Sequence, residues 1–249
     1  MGPGWLIPVL VAPVVGSFLG VLIARLPVGG RVVFARSACR ACDHPLGPAD
    51  LVPVISWLAS RGRCRHCDAP IGAIPICVEL AALALAVWAA TVVSGWLLWV
   101  TCALGWTLLA LAVIDWRHRI LPDQLTLPLA ALGLGVAYGV HGEGVAHHAI
   151  GAAAGFAAFA AVGWAYRRLR GREGLGLGDA KLLAAAGAWV SWTGLPGVVL
   201  TAAVAALAVA LADALAGRAL RGDTRLALGP YLALGTWLVW LYGPITIGN

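Results

Sequence analysis

The chain has 249 residues, of which 61% are hydrophobic and only 11% are charged, and its mean hydropathy is +0.89. Soluble domains have about a quarter of their residues charged, so this composition excludes an ordinary soluble domain and predicts a polytopic membrane protein. A bilayer leaves backbone polar groups without water, so we expect an all-α fold. The net charge of +6 is scattered over short loops, which argues against a nucleic-acid-binding patch.

Apolar runs long enough to cross a bilayer recur along the whole chain. A helical span needs roughly 20 residues, and somewhat fewer or more are tolerated. On this basis we predict about eight transmembrane helices, near 5–25, 75–93, 96–114, 124–140, 146–166, 180–193, 195–216 and 228–247.

The basic residues predict the orientation of these spans. If the N-terminus is outside, all 17 Lys and Arg residues lie in or next to the inward-facing segments, which are 26–74, 115–123, 167–179 and 217–227. Basic residues accumulate on the cytoplasmic side, so both termini are expected outside. Residues 1–24 lack the positive start of a signal peptide, and we interpret them as a retained first span.

The first inward loop contains two C-x-x-C pairs. Cys39, Cys42, Cys64 and Cys67 have the spacing of a tetrahedral site for structural zinc. Disulfides and a redox dithiol are the alternatives, but a cytoplasmic loop disfavours structural disulfides. Apolar residues within 51–58 could pack on the metal site or lie on the membrane surface, and the sequence leaves both open.

Two carboxylates are expected at one membrane level. Asp115 ends the third span and Asp179 opens the sixth, after the flexible Gly176 and Gly178. Acidic residues at span ends are functional candidates, and a close carboxylate pair can serve as acid and base. Each also has a simpler explanation, since Asp115 could pair with a nearby arginine and Asp179 could cap its helix. Asp123 could cap the fourth span.

The ordered motifs resemble those of type IV prepilin peptidases, which are intramembrane aspartyl proteases of the Gly-x-Gly-Asp type. The resemblance rests on the two C-x-x-C pairs, the Asp115…Leu121-Pro122-Asp123 segment and the Gly176–Asp179 motif. Further similarity lies at Gly16–Leu19, Val78–Leu80, Gly187–Trp189 and Gly229–Ala233.

This resemblance implies a function. It assigns Asp115 and Asp179 as the catalytic pair, with Asp123, Gly176 and Gly178 as supporting motif residues. It implies removal of the basic leader of prepilins or pseudopilins at the cytoplasmic face of a prokaryotic plasma membrane. It also implies N-methylation of the new N-terminus with S-adenosylmethionine.

The resemblance also divides the chain into three parts. The first transmembrane helix would span 1–26, a cytoplasmic four-cysteine domain 27–74, and a seven-helix peptidase domain 75–249. One competing hypothesis is a transporter in which Asp115, Asp179 and Asp213 form a cation or proton pathway. Another is a non-catalytic, zinc-bearing membrane assembly factor.

Overall fold

The computed structural model describes residues 3–30, 37–171, 174–217 and 227–244. Within these ranges the chain is helical, with two isolated bridges in the cysteine loop as its only β-type pairings. The predicted all-α fold is confirmed. Its α-helices are α1 (Leu6–Arg25), α2 (Ile55–Ala59), α3 (Ile74–Val92), α4 (Trp96–His118), α5 (Asp123–His141), α6 (Val145–Arg170), α7 (Leu177–Leu215) and α8 (Gly229–Tyr242).

Five helices of the described residues are long and apolar enough to cross a membrane: α1 with its continuation to Val28, α3, α4, α6 and α7. Each overlaps a predicted span to within a few residues, apart from α7, which covers two. The other two predicted spans correspond to α5 and α8, with 19 and 14 residues. Six of the arginines on which the predicted orientation rests lie outside the described residues: Arg31, Arg36, Arg172, Arg218, Arg221 and Arg225.

Helix α7 contains a break that separates the two predicted spans. Ser191 has φ 61 and ψ 179, which is not a helical conformation. Its hydroxyl lies 2.7 Å from that of Thr193 and accepts the Thr193 backbone N–H at 3.3 Å, as a residue before a helix start does. The 39-residue element therefore consists of two helical segments joined at Ser191.

The chain forms two compact units, Met1–Ala110 and Leu111–Asn249. In the first unit, α1 packs on α3 at a glycine. A methyl group added at Gly16 would lie 2.6 Å from Glu79 Cα, so only glycine permits this approach. Trp106 in α4 donates a hydrogen bond of 3.0 Å to the Ala82 carbonyl of α3.

In the second unit, α6 runs antiparallel to the first segment of α7. Gly163 of α6 lies against Leu175, just before α7, and Gly155 lies against Leu183. A methyl group added at Gly155 would lie 2.7 Å from the Leu183 carbonyl oxygen. Small residues let membrane helices approach closely, which compensates for the weak hydrophobic driving force in lipid.

Helix α8 packs along the second segment of α7. Gly235 of α8 faces Val198, and Val239 faces Gly194, so the two helices run in opposite directions. Because α8 is tightly packed at these positions, its first residue, Gly229, is held in a fixed place.

Candidate active site and metal centre

Asp115 lies in the last turn of α4, and its side chain is only 6% exposed. Its Oδ2 accepts a hydrogen bond of 2.9 Å from the backbone N–H of Gly229. Arg119, in a left-handed conformation with φ 58, ends the helix and donates its N–H to the Asp115 carbonyl at 2.9 Å. The carboxylate is therefore buried and oriented by a backbone donor from another helix.

Gly229 is a site residue that the sequence analysis did not identify. It opens α8, immediately before Pro230, and a methyl group added there would lie 2.7 Å from Asp115 Oδ2. Any side chain would displace the carboxylate or remove its hydrogen bond. The Gly-Pro pair at the start of an apolar span is the signal that marks this helix start.

Asp179 is the third residue of α7 and is half-buried. Gly176 precedes the helix in an extended conformation, with φ −77 and ψ 148, and donates its N–H to Asp179 Oδ2 at 3.3 Å. A carboxylate in the first turn is favourable because the helix N-terminus carries partial positive charge. The predicted capping interaction of Asp179 is therefore present, and it fixes the carboxylate at the helix start.

The carboxyl groups of Asp115 and Asp179 lie close enough for a negative charge on Asp115 to repel one on Asp179. The guanidinium of Arg119 attracts Asp115 electrostatically. Two carboxyl groups that interact in a partly desolvated setting do not ionise independently. Such a pair can hold one carboxylate and one carboxylic acid, which is the requirement for paired acid–base chemistry.

A second pair of contacts joins the segments that carry these two acids. Lys181 Nζ lies 2.7 and 2.8 Å from the two carboxylate oxygens of Asp123. Beside this ion pair, Gly178 lies against Leu121, with an added methyl group 3.1 Å from Leu121 Cβ. Asp123 is the first residue of α5 and Pro122 occupies the cap position, so the expected capping role of Asp123 is not observed.

The four cysteines of the first loop form one cluster in which all sulfur atoms lie within 4.8 Å of one another. Cys39 and Cys67, from different pairs, have sulfurs 3.7 Å apart. Zinc–sulfur bonds of about 2.3 Å put tetrahedrally arranged sulfurs about 3.8 Å apart, so the cluster fits a tetrahedral dication such as zinc.

The two C-x-x-C pairs have the same backbone structure. The N–H of Cys39 bonds to the His44 carbonyl and that of Cys64 to the Ala69 carbonyl, both at 2.9 Å. Asp43 and Asp68, one residue after each pair, both have positive φ, at 53 and 56. Bridges Ala38–Pro45 and Arg63–Pro70 close the two turns. The loop is therefore an internal repeat of two cysteine-bearing turns.

The thiols of the cluster differ in acidity. The backbone N–H groups of Ala41 and Cys42 lower the pKa of the Cys39 thiol to about 6. The backbone N–H of Ala69 lowers the pKa of Cys67, but the Cys42 thiol and desolvation outweigh it and raise that pKa to about 12. A metal ion that bound all four sulfurs would therefore displace protons from the cluster.

His44 and His66 are not part of the sulfur cluster. Their rings contact each other with centroids 3.5 Å apart.

Comparisons with known proteins agree with these observations. The chain matches the type IV leader peptidase family over residues 102–211 and the bacterial peptidase A24 N-terminal domain over residues 10–93. The first match contains Asp115, Asp123 and Asp179, and the second contains the four cysteines.

Several curated relatives carry the name prepilin leader peptidase/N-methyltransferase. The protein from Aeromonas hydrophila is 36% identical, over 92% of this chain and 87% of its own length. That from Burkholderia pseudomallei (strain 1026b) is 40% identical, over 92% and 82%. That from Pectobacterium carotovorum subsp. carotovorum is 34% identical, over 89% and 87%. No solved structure gives a significant match.

The described residues form a helical protein with five candidate membrane spans and two interacting aspartates at helix ends. The chain belongs to the type IV leader peptidase family. The resemblance stated from the motifs is confirmed, and with it the expectation that the protein is a protease. Family membership argues against the transporter and the non-catalytic assembly factor.

Proposed function

We propose that this protein removes the leader of type IV prepilins or pseudopilins and methylates the new N-terminus. Its relatives are named for both activities and align over most of their length. The observation that carries the peptidase proposal is the buried, oriented Asp115 in electrostatic contact with Asp179, within the family-matched segment.

In the proposed mechanism Asp115 and Asp179 act as a dyad. The ionised member takes a proton from water while the protonated member donates a hydrogen bond to the scissile carbonyl oxygen. The resulting hydroxide adds to the carbonyl carbon while the protonated member transfers its proton to the carbonyl oxygen, which gives a tetrahedral diol. A proton then passes from the dyad to the leaving nitrogen, and the carbon–nitrogen bond breaks to give a carboxyl group and a free amine. The pair titrates jointly, so neither acid is assigned a fixed role.

The Gly229 N–H supports this proposal by fixing one member of the dyad. This donor orients Asp115 Oδ2 at 2.9 Å, and Oδ1 accepts no hydrogen bond from any described residue, so it could meet water or substrate. Gly176 orients Asp179 in the same way from the start of α7. Preorganised carboxyl groups need little rearrangement during reaction, which is the main source of such catalysis.

Asp123 supports the dyad indirectly. It holds Lys181, which lies two residues after Asp179, while Leu121 packs on Gly178. The segment that follows Asp115 is thereby attached to the turn that carries Asp179. We assign Asp123 and Lys181 as positioning residues, because their side chains bind each other with both carboxylate oxygens engaged.

Zinc is the proposed ion of the cysteine cluster, held by Cys39, Cys42, Cys64 and Cys67. Four thiolates favour zinc over calcium or magnesium, which prefer oxygen ligands. A closed four-sulfur site has no open position, so the ion would stabilise the fold of the loop rather than take part in cleavage.

S-adenosylmethionine is the proposed methyl donor, as the second half of the relatives' name implies. It would supply an electrophilic methyl group to the α-amine that cleavage releases. The described residues do not single out a binding pocket for this donor. The Glu79 carboxylate, which lies in one of the segments that resemble the family, accepts the Val54 N–H at 2.7 Å.

The substrate chemistry suits the proposed location at a prokaryotic plasma membrane. A cytoplasmic leader followed by an apolar helix would present its junction at the membrane edge. Asp115 lies three residues before the end of a membrane-crossing helix, and Asp179 lies at the start of another. The cytoplasmic orientation remains part of the proposal.

The direct test uses purified protein in lipid with a prepilin and S-adenosylmethionine. We expect two products by intact mass, the free leader and a mature chain heavier by one methyl group. Release of the leader without the gain in mass would support the proposed peptidase activity and contradict the proposed methyltransferase activity. An unprocessed substrate would contradict the whole proposal.

A further inference from the structure

The short helix α2, between the two cysteine pairs, and the segment just before it expose an apolar surface. Leu51, Val52, Ile55 and Leu58 are 45%, 40%, 66% and 58% exposed. These values match those of side chains on the membrane-crossing α1, such as Val14 at 59%. We name these four residues the α2 apolar face. A face of this kind on a protein surface indicates a partner.

The opposite side of α2 packs on the first unit itself. Trp57 donates its indole N–H to the Gly72 carbonyl at 2.9 Å, and its ring lies on Gly62, where any side chain would collide with it. This packing fixes the orientation of α2, and the side chains of its apolar face stay exposed. Of the two possibilities left open by the sequence, the exposure of these side chains favours the membrane surface over packing on the metal site.

A hydrogen bond places α2 at the level of the membrane. The Val54 N–H, directly before α2, binds the carboxylate of Glu79 at 2.7 Å. Glu79 is the sixth residue of the membrane-crossing α3, about 7 Å along its axis from the first residue. The start of α2 therefore lies beside the first turns of a span rather than beyond its end.

The surroundings of α2 continue the lipid-facing surface. Ile71 and Ile74 are 47% and 36% exposed and lead directly into α3. Arg61, two residues after α2, is exposed, and its side chain makes no ion pair or hydrogen bond with any described residue. Arg63 and Arg65, by contrast, pair with Asp68 and Asp50. A free cation beside an apolar face suits the phosphates of a bilayer surface.

We propose that the α2 apolar face is inserted into the membrane interface, with Arg61 at the level of the lipid phosphates. The occupant is the bilayer itself, because the face continues the surface of α3 at the depth that Glu79 sets. The cysteine loop is then bound to the membrane at its middle as well as at its two ends. This proposal does not depend on the catalytic assignment.

The test is photo-crosslinking of the full-length protein in lipid nanodiscs. Benzoyl-phenylalanine replaces Ile55 or Leu58, and a matched control replaces Ala38, an exposed residue next to Cys39. We expect lipid adducts by mass spectrometry from positions 55 and 58 and none from position 38. Adducts with a second copy of the chain, with another part of the same chain, or equal lipid labelling at all three positions would overturn the proposal.

A second measurement needs no substitution. A carbene precursor that partitions into lipid is photolysed with the unmodified protein, and the labelled peptides are mapped. The proposal expects label in residues 51–58 at a level comparable with that of α1. Label confined to the membrane-crossing helices would contradict it. Because the chain is unmodified, misfolding of a variant cannot explain that result.

Discussion

At the scale of single residues, the orientation of Asp115 depends on the absence of a side chain at position 229. We expect Gly229→Ala to lower the cleavage rate strongly, because the added methyl group would lie 2.7 Å from Asp115 Oδ2. A displacement of about 1 Å at a catalytic group can cost on the order of 100-fold in rate. The measurement is kcat for prepilin cleavage, with folding checked by circular dichroism.

The matched control for this prediction is Gly135→Ala. Gly135 lies inside α5, and an added methyl group there meets no atom within 4 Å. Both substitutions add one methyl group to a helix, so propensity effects are comparable. Cleavage by Gly229→Ala at the rate of Gly135→Ala would show that the Gly229 contact does not matter to catalysis.

The sequence predicted the two acids but not their donor. Asp115 and Asp179 are carboxylates at the ends of apolar segments. Because a charged side chain in a membrane span costs free energy, such residues are candidates for a functional site. Gly229 lies 114 residues after Asp115, and its contribution is a backbone N–H that every residue except proline has. The residue type at position 229 therefore does not predict the hydrogen bond to Asp115, which depends on how α8 packs.

At the scale of secondary-structure elements, the Asp123–Lys181 pair joins the start of α5 to the start of α7. We expect Asp123→Asn and Lys181→Met each to lower kcat with little change in KM. The pair is partly exposed, at 51% and 31%, so an effect on the order of fivefold is expected, with little change in thermal stability. The measurement is steady-state cleavage over a range of prepilin concentrations.

A charge reversal distinguishes positioning from substrate binding. The double variant Asp123→Lys/Lys181→Asp restores an ion pair in the opposite sense and should recover most of the lost kcat. If Asp123 instead binds the basic leader directly, the double variant would stay defective and KM would rise in Asp123→Asn. That outcome would reject the positioning role.

The cysteine loop makes a prediction about metal content. We expect about one zinc per chain, lost in Cys39→Ser or Cys64→Ser, because each substitution removes one of four ligands. Cys77→Ser is the matched control, since Cys77 is an exposed cysteine outside the cluster. Metal analysis of the three purified variants is the measurement. Full zinc content in Cys64→Ser would contradict the assignment.

The helices themselves were largely predictable, because lipid imposes both their length and their composition. The break in α7 was also predictable as a boundary between two apolar runs. Its position at Ser191 was not, since serine gives no signal for a φ of 61. The repeat of the two cysteine turns was visible as spacing, whereas the outward apolar face of α2 needed the Trp57 and Glu79 contacts.

At the scale of the whole molecule, the distribution of basic residues predicts how the chain lies in the membrane. An epitope inserted after Gly142, between α5 and α6, should be accessible to antibody in intact spheroplasts. An epitope inserted after Gly171, at the basic end of α6, should require permeabilisation, because basic loops are retained in the cytoplasm. The reverse pattern would place the dyad on the wrong side for a cytoplasmic leader. The three-part division of the chain at residues 26 and 74 stays a prediction.

The most direct test of the central claim concerns the two carboxyl groups. Asp115→Asn and Asp179→Asn keep the size of each side chain but remove the ionisable group that a dyad requires. In purified, folded protein with a prepilin substrate, each variant should lose leader cleavage, and the Asp213→Asn control should retain it. Wild-type cleavage by either Asp115→Asn or Asp179→Asn would contradict the dyad.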